Sequence, residues 1–85
     1  MSKGHFIHVD SRGNKRYFSD SDHKILHRED GPALIWSSGS KEWYREGKLH
    51  REDGPAIVWP DGTKWWYLND KHLSEEEFNA ATLID

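Results

Sequence analysis

Leu26-His27-Arg28-Glu29-Asp30-Gly31-Pro32-Ala33 and Leu49-His50-Arg51-Glu52-Asp53-Gly54-Pro55-Ala56 are the same eight residues, 23 positions apart. The correspondence continues downstream at Trp36/Trp59, Gly39/Gly62, Lys41/Lys64, Trp43/Trp66, Tyr44/Tyr67 and Lys48/Lys71. A fixed period of this size marks a repeat architecture, in which each unit buries its apolar face against the next. The fold class follows from what one unit encodes.

Within a unit, Ala33-Leu34-Ile35-Trp36 and Ala56-Ile57-Val58-Trp59 are short, aliphatic and aromatic, which suits strands. Turn chemistry comes next, at Ser37-Ser38-Gly39-Ser40 and Pro60-Asp61-Gly62-Thr63. A second strand is expected at Lys41–Tyr44 and Lys64–Tyr67. Further turns are expected at Glu46-Gly47 and Asn69-Asp70. The unit is therefore a β-hairpin joined to the next by an Arg-Glu-Asp-Gly-Pro loop, a setting that tolerates proline. Residues 5–25 form a degenerate first copy, with Phe6–Val9 as its first strand, Gly13 at its turn and Tyr17-Phe18 in place of Trp43-Tyr44. Full units occupy 26–48 and 49–71, and residues 74–85 break the pattern. There Ser74 and Glu77 make a capping box, and Leu73 and Phe78 occupy the positions of a hydrophobic staple. A helix over 75–85 is expected, packing Phe78, Ala81 and Leu83 on the last hairpin. The whole is one domain over 1–85: all-β with a short C-terminal helix, a single twisted antiparallel sheet of about three hairpins.

Composition narrows the function classes. An 85-residue chain with 34% apolar residues but five Trp, three Tyr and three Phe relies on aromatics for its core. A net charge of -3 and a pI near 6.0 argue against binding double-stranded nucleic acid. There is no cysteine, hence no disulfide or thiolate metal site. No apolar run reaches the length of a membrane span, and Met1-Ser2-Lys3-Gly4-His5 has no signal core, so a cytoplasmic protein is expected. Alternation places large residues on both sheet faces, more than one short helix can cover. A partner or a second copy, forming a homodimer, is expected to cover the remainder.

The 23-residue period, the aromatic hairpins and the Gly47-Lys48-Leu49-His50 step resemble MORN repeats. The likeness covers residues 26–71 best. It departs from that family where Arg51-Glu52-Asp53 and Arg28-Glu29-Asp30 replace small residues after the histidine. The resemblance implies an elongated array of β-hairpins acting as a scaffold or binding module, often dimeric. Some small bacterial proteins of this kind look like antitoxins.

Five residues are candidates for a site: His27, Arg28, His50, Arg51 and Trp65. The histidines and arginines line up along one edge of the array. They could grip an anionic ligand, with a tryptophan stacking on a base. Alternatively they serve the repeat itself, closing turns and pairing between units. Trp65 stands where the other full unit has Glu42, so the repeat's own packing does not explain it. It either touches the terminal helix or anchors a partner. His5 and His8 have a metal-like spacing, but positions three apart on a strand point to opposite faces. No nucleophile elbow, phosphate loop or metalloprotease helix is present, and no cofactor is implied. The leading expectation is a non-enzymatic protein-interaction module, an inhibitor or antitoxin-like factor of bacterial or phage origin. The second is a protein that sequesters an anionic nucleotide-type ligand between protomers, and the third a phosphodiesterase or nuclease.

Overall fold

The computed structural model of the chain describes residues 6–82. Among the described residues nine strands and one helix follow one another: β1 (Phe6–Val9), β2 (Lys15–Phe18), β3 (Leu34–Ile35), β4 (Lys41–Glu42), β5 (Tyr44–Arg45), β6 (Lys48–Leu49), β7 (Ile57–Val58), β8 (Lys64–Leu68), β9 (Lys71–Leu73) and α1 (Glu75–Thr82). All pairings are antiparallel. The expected single sheet resolves into two: a seven-stranded sheet in the order β1-β2-β3-β4-β7-β8-β9, and a two-stranded ribbon of β5 and β6. The split falls at Trp43. There the chain leaves the main sheet, although Trp43 still donates to Ala56 O and accepts from His50 N. In the last unit no further repeat follows, and β8 runs unbroken into its hairpin with β9.

The turns obey their residues. Gly13, Gly39 and Gly62 close the three unit hairpins with positive φ of 88°, 105° and 93°. The connecting turns use consecutive positive φ values, 52° and 83° at Glu46-Gly47 and 50° and 70° at Asn69-Asp70. That geometry matches the right-handed twist of flanking strands. In the degenerate first unit, Asp10 binds the turn through Arg12 N and Asn14 N, while its second oxygen takes Asn14 Nδ2. The Asn14 side-chain bond, followed by the two backbone bonds, lowers the Asp10 carboxyl to about 2. Asn14 Oδ1 in turn accepts from Ser37 N at 2.7 Å, tying the first hairpin to the second.

Register sorts the side chains into two faces. One row reads His8, Arg16, Leu34, Glu42, Ile57, Trp65 across six strands. The adjacent row, on the opposite face, reads Val9, Lys15, Ile35, Lys41, Val58, Lys64. The core is thin and distributed: Phe18, Ala33, Leu34, Ala56, Ile57, Leu73 and Phe78 are buried. Glu75–Thr82 is shorter than the expected helix, and Leu83 lies outside the described residues. Its capping box is formed as expected, with Glu77 N donating to Ser74 Oγ and Ser74 N to Glu77 Oε1. Ser74→Ala is expected to remove one of these bonds at a cost of about 1 kcal/mol, read as a melting temperature about 5 °C lower by circular dichroism. Among the described residues no helix is long and apolar enough to cross a membrane.

Candidate functional site

The two His-Arg-Glu-Asp loops adopt the same structure. Arg28 Nε donates to Asp30 Oδ1 at 2.9 Å and Nη1 to Pro32 O at 3.2 Å. Arg51 does the same with Asp53 at 2.8 Å and Pro55 O at 3.0 Å. Each guanidinium carbon lies over an aromatic ring of the preceding unit, Arg28 Cζ at 4.0 Å from the Tyr17 centroid and Arg51 Cζ at 3.9 Å from that of Trp43. Planarity lets one group stack and hydrogen-bond at once. The bond from Arg51 also holds the Asp53 carboxyl below its ordinary value. Gly31 and Gly54 make room for the fold-back. A Cβ on either would stand 3.0 Å and 2.9 Å, respectively, from the guanidinium carbon.

The histidines are equally committed. His27 Nδ1 accepts from Glu46 N at 2.9 Å, and His50 Nδ1 from Asn69 N at 3.0 Å. Each acceptor role places the ring proton on Nε2, which faces Glu29 Oε2 at 3.4 Å or Glu52 Oε2 at 3.0 Å. His27 and His50 thereby pin the first residue of a connecting turn at φ above zero, a conformation that Glu46 ordinarily resists and Asn69 tolerates. Asp70 adds a second tie, accepting from Leu49 N at 2.8 Å.

Between the loops lies an open cleft of about 520 Å³, lined by both Arg-Glu-Asp segments together with Arg45 and His50. Three guanidiniums face four carboxylates there, an excess of one negative charge. The structure thus brings Arg28, His50 and Arg51 together, but their bonding serves the array and the cleft's charge does not favour an anion. His27 sits behind, against Glu29 and the Glu46 turn. Of the metal-like pair, His5 lies outside the described residues, and His8 rests 6.2 Å from the ring of His23.

Trp65 lies apart from these loops. It is 40% exposed on the face opposite Trp66. Trp66, not Trp65, meets the helix, with its ring 6.5 Å from Phe78. Around Trp65 gather Trp59 (5.1 Å, edge to face), His72 (4.9 Å) and Tyr67 (6.5 Å, stacked). The corresponding place in the preceding unit is closed. There Glu42 accepts from Trp36 Nε1 at 3.0 Å and from Tyr44 OH at 2.9 Å. Burial and the Glu42 bond push the Tyr44 hydroxyl well above the ordinary phenol range. In the last unit Trp59 and Tyr67 keep that aromatic frame, and an indole replaces the carboxylate between them. Sequence reasoning isolated Trp65 but not Glu42. The signal was present, since the two occupy equivalent positions in otherwise matching units.

Comparison of the chain with protein-family models, with curated proteins and with solved structures finds no match.

Proposed function

We propose that this chain is a non-enzymatic binding module that recognises a protein partner through the aromatic face centred on Trp65. One observation carries the reading. Glu42 locks Trp36 and Tyr44 into an internally satisfied clamp, whereas the equivalent place in the last unit is an aromatic cluster whose central ring, Trp65, is exposed between the half-buried Trp59 and Tyr67. Large aromatics with polar tips are the side chains that dominate interface energetics. The MORN-like reading of the repeats belongs with this proposal, and an inhibitor or antitoxin-like role is the form of binding that resemblance suggests.

The test uses two substitutions at one position. Trp65→Ala is expected to abolish capture of the partner by the immobilised protein while the chain stays folded, with stability lowered by about 1–2 kcal/mol for the lost ring contacts to Trp59, Tyr67 and His72. Trp65→Glu is expected to rebuild the clamp with Trp59 and Tyr67, keeping the fold and also losing the partner. Capture that survives both substitutions sinks the proposal. Loss of fold in Trp65→Ala, with Trp65→Glu folded and still binding, assigns Trp65 to packing instead.

A further inference from the structure

The outer edge of β1 presents a self-complementary backbone. Tyr17 N donates to Ala33 O and Tyr17 O accepts from His27 N, so Tyr17 turns both main-chain groups away from β1. Its neighbours Arg16 and Phe18 must then turn theirs toward β1, where they face His8 and Phe6. Asp10 N donating to Asn14 O continues the same alternation. The main-chain groups of Ile7 and Val9 are left pointing out of the sheet. Among the described residues no strand pairs with that side of β1.

Phe6-Ile7-His8-Val9 carries no Lys, no Glu, no Pro and no bulge, the side-chain and backbone features that commonly protect an edge. Ile7 and Val9 are 49% and 54% exposed. The opposite outer strand differs. β9 is three residues long, carries Lys71 and runs directly into α1, which packs against it.

We propose that the β1 edge pairs antiparallel with the β1 edge of a second copy of this chain, about a two-fold axis at His8. This goes beyond the Trp65 reading and does not depend on it. With Ile7 opposite the second copy's Val9, and Val9 opposite its Ile7, both outward-pointing residues fall on hydrogen-bonded positions, each pair exchanging two main-chain bonds. No other register with β1 alone uses both. The same pairing sets Ile7 and Val9 side by side across the seam, extending the face that carries Val9, Lys15 and Ile35. The two copies of His8 meet on the other face, and the two seven-stranded sheets become continuous. A four-residue edge buries less than the ~1,200 Å² of a stable interface, so the dimer is a weak one, with a dissociation constant on the order of 0.1 mM.

Sedimentation of the full chain from about 10 µM to about 1 mM reads the association, and amide exchange locates it. The average mass is expected to rise toward twice the monomer. Over the same range the Ile7 and Val9 amides should become protected, while those of Phe6 and His8 are protected throughout. Val9→Pro deletes only an outward N–H and is expected to stay monomeric with the β1–β2 ladder intact. Ile7→Lys places a like charge beside the axis on both copies and changes only an exposed side chain, so it covers the case in which the proline variant unfolds. A wild-type chain that stays monomeric at 1 mM overturns the proposal. So does a dimer that leaves the Ile7 and Val9 amides exchanging freely, or one that Ile7→Lys does not dissociate.

Discussion

Phe78→Ala is expected to lower the melting temperature by about 15–30 °C. The physical case begins with what Phe78 replaces. Arg28 covers Tyr17 and Arg51 covers Trp43, each guanidinium closing the aromatic of the unit before it. Trp66 is the next aromatic in this series, and the position one period beyond Arg51 is Ser74. Ser74 begins α1 instead, and the helix swings Phe78 over Trp66. Phe78 is 4% exposed, the one buried residue of α1. Truncating a buried phenylalanine costs about 3–5 kcal/mol. In a domain of this size each kcal/mol corresponds to about 4–8 °C. An eight-residue helix cannot persist alone, so undocking should also unwind it. The checks are thermal denaturation, loss of the helical band in circular dichroism, and a red shift of tryptophan emission as Trp66 becomes wet. If the helical band disappears and the melting temperature stays put, α1 is an appendage and the array ends at β9.

Arg51→Ala is expected to cost about 2–4 kcal/mol. The substitution removes a charged hydrogen bond to Asp53, strands Pro55 O without its donor, and uncovers Trp43. Arg51→Lys distinguishes geometry from charge. A lysine keeps the cation but cannot stack flat and fork to two acceptors, so it should recover less than half of the loss. Full recovery by lysine would mean that the attraction to Asp53 alone matters. Arg28→Ala is an internal replicate, because its bonds to Asp30 and Pro32 O and its seat on Tyr17 repeat the same geometry. Urea titrations at constant pH measure all three.

The strands of the repeat were legible because their residues are local statements. Leu34-Ile35 and Ile57-Val58 are aliphatic, the turn glycines punctuate them, and Ser74 with Glu77 announces α1. The ribbon of β5 and β6 was not legible as a separate sheet. Whether β5 stays in register with the main sheet depends on a tertiary fact, the approach of the following loop to Trp43, which no window of sequence contains. The loops divide similarly. Periodicity showed that His27 and His50, and Arg28 and Arg51, are equivalent positions of two matching loops. The roles of the histidines depend on partners 19 residues away, Glu46 for His27 and Asn69 for His50. A sequence gives the identity of a donor or acceptor but not which backbone amide will reach it. The aromatic frame was readable as a pattern. The clamp made by Glu42 became visible only when Trp36 and Tyr44 were seen to converge on it.

Because each unit is closed by the one after it, the contacts between 26–48 and 49–71 are of the same kind as those between 6–25 and 26–48. Nothing in such a joint counts how many joints precede it. Length is then an additive quantity in this architecture: another 23 residues inserted ahead of His72 would meet familiar neighbours on both sides. Duplication of a gene segment can therefore lengthen the protein without redesigning it. The boundary condition is written once, in the terminal helix, where a phenylalanine takes the seat that an arginine would otherwise fill.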